Sequence, residues 1–264
     1  VVAISQSGTT TDTNRSVELV RSRGAAVLAI VNRRNSDLTD RADGVLYTSD
    51  GRDVEMSVAS TKAFYSQVAA GNLVALAVAA AVGTLDAARE HELLAALRAL
   101  PDAMRTVLTG RDHVADLAAA HVLSRRSWAV VGNGPNSIAA RELRIKLSEL
   151  CYKAIPCDAT EDKKHIDLSS EPLTVVCAAG LSGSNLDDVG KEVAIYRAHR
   201  GAPIVIAAED HGARFGQAAG VIPVPSVHPA LDFVLATVAG HLFSYEAALA
   251  IDATARPLRE ARAA

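Results

Sequence analysis

Short β-branched runs alternate with helical stretches from one end of this chain to the other. The apolar run VVAIS leads into a stretch whose Val17, Leu19 and Val20 form one apolar side, which predicts a helix over residues 11–23. AVLAIVN follows, then a polar helix or turn near residues 37–42, then GVLYTS. Strand, helix, strand, helix, strand implies right-handed crossovers and a parallel sheet. Two Ala/Leu-rich helices are predicted next, over about residues 60–82 and 86–100. Pro101 opens a less regular stretch, and Gly110-Arg111-Asp112 reads as a joint.

The same theme then returns. SWAVVGNG is a strand entering a Gly-rich turn, and NSIAARELRIKLSELCY has the Leu/Ile spacing of an amphipathic helix. LTVVCAAG, APIVIAAE and GVIPVP are further buried strands, with a helix over residues 187–200 between the first two. DFVLATVAGHLFSYEAALAI closes the pattern as a long helix. Two α/β units are therefore expected, each a doubly wound parallel sheet flanked by helices, covering residues 1–109 and 110–264.

Composition agrees with that architecture. Of the 264 residues 49% are hydrophobic but only 4% aromatic, so the core must be built from Ala, Val, Leu and Ile, which suits helices on a parallel sheet. A net charge of -3 with no local Lys/Arg run argues against a nucleic-acid surface. Cys151, Cys157 and Cys177 lack CxxC spacing, and the His residues form no HxxxH or HxH pair, so neither a disulfide framework nor a metal site is expected. The apolar run over residues 73–82 is too short to span a bilayer, and no signal peptide is visible. A soluble cytoplasmic protein is the expectation. The chain starts on a core strand without an initiator Met, so it is expected to be cut from something longer.

Candidate chemistry begins where the first strand ends. In a parallel sheet, ligands bind beyond the carboxyl ends of strands, and residues 5–10 (SQSGTT) sit at such a place. Gly8 permits a tight turn, hydroxyls can donate, and free N–H groups at a helix start attract an anion. Without Lys or Arg, this would be a neutral cradle for a phosphate. A Ser/Thr N-cap followed by a polar loop would also account for the run. A second hydroxyl cluster, Ser57, Ser60 and Thr61 in VEMSVASTKAF with Glu55 just before it, exceeds what capping one helix requires.

Together, ISQSGTTTDT and VASTKAF resemble the first sugar isomerase (SIS) domain of the glutamine–fructose-6-phosphate aminotransferase family, whose isomerase half holds two SIS domains in tandem. The resemblance implies that Ser5, Gln6, Ser7 and Thr10 bind the phosphate of a hexose phosphate, with Val58 and Ser60 closing over the sugar. It also implies that the family's first strand and its Gly/Ser-rich turn lie before Val1. A glutaminase domain would precede this segment in the full-length protein. No cofactor, nucleic acid or membrane is implied.

Isomerising a ketose needs a base that moves a proton between adjacent carbons and an acid/base group that opens the ring. In RELRIKLSELCY, Glu142, Lys146 and Glu149 share one helix face at spacings of four and three. From spacing alone this is an ordinary solvated i,i+4 ladder. The resemblance instead makes Glu149 the proton-shuttling base, with Lys146 beside it to hold a carboxylate or oxyanion. His165 follows Glu149 at the interval of the family's ring-opening His, which is lent to a neighbouring subunit and so implies a homodimer. Ile166 and Asp167 stand where that family has Gly-Pro.

The tail departs further. ATARPLREARAA matches Arg256 and Leu258 to the family's ending, but Glu260 stands where the family has a Lys able to form a Schiff base. Arg259 and Arg262 are no substitute, since their guanidinium groups stay protonated. Three functions follow as expectations. The first is the isomerase part of an enzyme converting fructose 6-phosphate toward glucosamine 6-phosphate. The second is a glutamine-independent amino-sugar-phosphate deaminase or isomerase. The third is a non-catalytic sugar-phosphate-binding regulator.

Overall fold

The structure, a computed structural model, describes residues 1–49, 60–165 and 168–263, with side chains described as far as residue 254. It divides into two compact units, Val1–Glu92 and Leu93–Ala264.

The first unit is built on three parallel strands in the order β1-β2-β3: β1 (Val2–Ser5), β2 (Leu28–Val31) and β3 (Gly44–Tyr47). Ala3 pairs with Ala29 and Ile4 with Ile30, which brings small residues to one face and larger ones to the other. Helices α1 (Thr11–Ser22) and α2 (Asp37–Arg41) are the connections after β1 and β2. Val17 and Leu38 from these helices close a small core over Ala3, Val27 and Ala29. Each such side chain contributes about 1.5–3 kcal/mol by leaving water. The doubly wound pattern expected here is not present among the described residues. The strands step in one direction only, and β1 is an edge on which Val1, Val2 and Ile4 are exposed.

Helix α3 (Lys62–Ala81) meets β2 but buries little of itself. The apolar stretch is longer than residues 73–82 suggested: by length and composition α3 is able to cross a bilayer, with mean hydropathy 1.5 and only 6% of it buried. The segment Asp232–Thr254 passes the same test but is a core helix, 61% buried.

In the second unit the order β5-β4-β6-β7-β8 reverses at β4, so this sheet is doubly wound. Its strands are β4 (Trp128–Gly132), β5 (Cys157–Asp158), β6 (Leu173–Cys177), β7 (Ala202–Ala208) and β8 (Gly220–Val224), all parallel. Strands β4, β6 and β7 are buried along their whole length, as continuous apolar runs require. Around them lie α5 (Arg111–His121), α6 (Asn136–Cys151), α7 (Thr160–Lys163), α8 (Gly183–Ala198) and α9 (Asp232–Ala263). The most extensive helix contact is α6 on α9, and Gly240 permits it, because a Cβ there would run into the Leu143 side chain.

The irregular stretch expected from Pro101 is instead the interior of α4 (Ala87–Thr109). Ala96, Leu100, Ala103 and Val107 are buried at helical spacing on both sides of the proline. Their packing offsets the hydrogen bond that the proline cannot donate. Gly110 does separate two helices, α4 from α5, while the division into compact units falls earlier, inside α4.

Candidate functional site

In the first unit the loop over residues 5–10 is held by its own backbone. The Asn32 and Arg33 N–H groups both donate to the Gln6 carbonyl, at 3.2 and 3.1 Å, and the Leu38 N–H donates to the Gly8 carbonyl at 3.0 Å. The buried Asn14 reaches back from α1, its Nδ2 donating to the carbonyls of Gly8 (3.1 Å) and Thr10 (3.2 Å). Gly8 is required here. Its φ of +68° is left-handed, and a Cβ would strike the Ser36 side chain.

The hydroxyls of this loop are partly organised among themselves. The Gly8 N–H donates to Ser5 Oγ at 3.0 Å, and both the N–H (3.3 Å) and Oγ1 (3.0 Å) of Thr9 donate to Ser7 Oγ. Ser5, Gln6 and Ser7 are half-buried, whereas Thr9 and Thr10 are exposed ahead of the first turn of α1. The four residues predicted to hold a phosphate, Ser5, Gln6, Ser7 and Thr10, therefore share one pinned loop at a helix N-terminus. Such a loop presents dipoles to an anion without carrying charge of its own. Arg33, exposed and tied by its backbone to Gln6, adds a cation that the local sequence of the loop does not contain. Ser60 is half-buried just before α3, while Glu55, Ser57 and Val58 lie outside the described residues.

In the second unit, Glu142 and Lys146 meet on α6 with Nζ–Oε1 at 3.2 Å. The pair is not the solvated ladder that spacing alone suggests: the Lys146 side chain is 6% exposed and that of Glu142 13%. His241 on α9 closes it, its Nε2 3.2 Å from the same Glu142 oxygen. Burial pushes the Glu142 pKa up, but the bond to His241 and the charge of Lys146 more than reverse this and hold it below the ordinary carboxylate range. Glu142 is thus an ionised group shared by two donors.

Glu149 is exposed in the last turn of α6, and His165, just beyond α7, is 70% exposed with Nε2 3.7 Å from Glu161 Oε1. The structure brings together Glu142, Lys146 and His241, and leaves Glu149 and His165 at the surface on separate elements. Sequence reasoning did not find His241. It is one polar residue in an apolar helix, and its partner is 99 residues away. The tail residues Arg256, Leu258, Arg259, Glu260 and Arg262 lie where side chains are not described.

Cys151, Cys157 and Cys177 are free thiols. Burial raises the pKa of each, that of Cys151 to about 11, which disfavours the reactive thiolate. Among the described residues no group of three His, Cys, Asp or Glu side chains is placed to hold a metal.

Residues 1–77 match the SIS domain family. The chain is 33% identical over 256 residues to a glutamine–fructose-6-phosphate aminotransferase (isomerizing) of Leifsonia xyli, covering 95% of this chain and 41% of that protein. It is 36% identical to the protein of the same name from Mycolicibacterium smegmatis, covering 92% and 39%. It thus spans about two fifths of the length of these relatives. Among solved structures, the C-terminal domain of a glucosamine-fructose-6-phosphate aminotransferase from Francisella tularensis superposes with a TM-score of 0.84 at 24% identity, over 94% of this chain and 70% of that one. The chain has the parallel α/β fold of that domain and carries a SIS domain over residues 1–77.

Proposed function

We propose that this chain is the sugar-phosphate isomerase part of a glutamine–fructose-6-phosphate aminotransferase-like enzyme, built from two SIS domains in tandem. The observation that carries the reading is the pinned loop over residues 5–10, whose backbone is fixed by Asn14, Asn32, Arg33 and Leu38 and whose Ser5 and Ser7 hydroxyls are half-buried and held by Gly8 and Thr9. Preorganised dipoles bind a phosphoryl group without the entropic cost of ordering a loop. The identity to the aminotransferases over 95% of the chain supports the choice of family.

In this reading fructose 6-phosphate is anchored through its phosphate by Ser5, Gln6, Ser7 and Thr10, with Val58 and Ser60 against the sugar. His165, supplied by the second subunit of a homodimer, moves the proton that opens the ring. Ammonia, delivered from a glutaminase domain elsewhere in the longer protein, condenses with the C2 carbonyl to give an imine, and the carbonyl oxygen leaves as water. Glu149 then takes a proton from C1 and returns it to C2, which yields the aldose amine. Lys146 places a positive charge one turn from Glu149, and Glu142 with His241 holds that lysine in place.

The test is turnover of fructose 6-phosphate with ammonium, and with glutamine in the longer protein, read as glucosamine 6-phosphate. Glu149→Gln should keep sugar-phosphate affinity and lose about two orders of magnitude or more in kcat. Full activity in that variant would remove Glu149 from the mechanism. Binding of fructose 6-phosphate without product in the unmodified protein would replace the enzyme with the sugar-phosphate sensor. Glu260, at the place of the family's tail lysine, is the sequence feature that favours the sensor.

A further inference from the structure

Asn14 is a costly residue for its place in the fold. It is 5% exposed in the first turn of α1, and shares the inner side of that helix with the buried Val17. An apolar residue would suit that side, since the core beneath it is Ala3, Val17, Val27, Ala29 and Leu38. Asn14 brings an amide instead. Its Nδ2 lies 3.1 Å from the Gly8 carbonyl oxygen and 3.2 Å from that of Thr10. Carbonyls only accept, so the atom between them is the nitrogen, and the amide cannot be turned round. Its Oδ1 is then buried without a donor, which costs free energy in the fold and needs an explanation.

Holding the fold together does not supply that explanation. The Gly8 carbonyl already accepts from the Leu38 N–H at 3.0 Å, and the Thr10 carbonyl from the main-chain N–H of Asn14 at 3.0 Å. Neither would be left unpaired without the side chain. What the side chain adds is the positive end of a dipole between two carbonyl oxygens that both lie against one nitrogen. Without it those oxygens would repel, and the peptide units that carry them would be freer to turn.

The orientation of those two units decides what the loop offers to a ligand. A trans peptide sets its N–H opposite its C=O, and none of the described peptide bonds is cis. With the Gly8 and Thr10 carbonyls held on Asn14, the N–H groups of Thr9 and Thr11 are turned away from it. The Ser7 N–H is turned from the protein in the same way, because the Gln6 carbonyl is held by Asn32 and Arg33. Thr9 N–H meets Ser7 Oγ only at 3.3 Å, a long bond that a stronger acceptor would displace. A carbonyl that accepts a hydrogen bond also polarises its own peptide, which makes the N–H a better donor.

We propose that Asn14 is the positioning residue of the hydroxyl loop: it holds two carbonyls back so that the N–H groups of Thr9 and Thr11 are presented to a phosphoryl group. This rests on the reading of residues 5–10 as the phosphate site. Asn14 acts through the loop backbone and does not itself touch the ligand.

Isothermal titration of the full chain with fructose 6-phosphate, and separately with inorganic phosphate, tests it in Asn14→Leu. The Kd for each should rise about fivefold, the worth of one hydrogen bond, with the number of sites per chain unchanged. The urea midpoint should move little, because both carbonyls keep a donor and the unpartnered oxygen is gone. A purely structural asparagine would behave in the opposite way: stability and the binding-competent fraction would fall, while the Kd of that fraction stayed the same. Asn14→Ala, which leaves only a small space beside the loop, decides the matter should leucine not fit. Unchanged Kd in a folded variant, or failure of both variants to fold, would overturn the role of Asn14 while leaving the phosphate site in place. No binding of either compound by the unmodified chain would overturn the phosphate site, and the role of Asn14 with it.

Discussion

The two units use polar residues in opposite ways. In the first, the loop over residues 5–10 carries no charge, stays partly open to solvent and is held through its backbone carbonyls by neighbouring N–H groups and the Asn14 amide, and by its own serine hydroxyls. In the second, Glu142, Lys146 and His241 are withdrawn from water and hold one another on the seam between α6 and α9. The difference is one of replaceability. A neutral hydroxyl removed from a half-open loop is replaced by water, whereas one ion removed from a buried group leaves its partner uncompensated.

Lys146→Met should therefore have the largest effect on stability, about 3–5 kcal/mol in a urea titration, because Glu142 is left buried without its cation. Adding Glu142→Leu to that variant should recover much of the loss. A loss of less than about 1 kcal/mol in the single variant would mean that the seam tolerates an unpaired carboxylate, and the contrast with the first unit would fail.

Gly8→Ala tests the backbone of the loop. The left-handed φ and the collision with Ser36 together should cost about 2–3 kcal/mol, and a neutral result by the same measurement would show that the turn can be rebuilt.

Ser7→Ala removes only a shared acceptor, so stability should fall by about 1 kcal/mol or less. Sugar-phosphate affinity, read by calorimetry, should fall about fivefold, and unchanged affinity would exclude this hydroxyl from the phosphate contact.

The smallest effect is on the acid limb of stability. The pKa of Glu142 is lower in the folded chain than in the unfolded one, so its ionised form stabilises the fold above the unfolded value. That contribution disappears as pH falls through the lowered folded value. Replacing Glu142 with Gln should flatten the decline of stability at acid pH; an identical acid limb in the variant would show that the group gains nothing on folding.

Much of this organisation was legible before the structure. The alternation of apolar runs with amphipathic stretches marks β1, β2, β3, β4, β6, β7 and β8, and in β4, β6 and β7 the run is continuously apolar because those strands are buried along their whole length. The loop over residues 5–10 stood out because a strand running into hydroxyls at a helix start leaves few other uses for them. Strand β5 was missed, since two residues cannot establish a period. The helix through Pro101 was missed because the proline was given more weight than the stripe of Ala96, Leu100, Ala103 and Val107.

Local order along the chain was enough to set the parallel α/β class, the place of the hydroxyl loop and the pairing of Glu142 with Lys146 one turn on. These depend on neighbours within a few residues, and their periodicity is written in the residues themselves. Folding alone decided that the pair is buried, with His241 of a distant helix bound to the same Glu142 oxygen. Burial and charge balance are sums over residues far apart in sequence, so they take a value only once packing has brought those residues together.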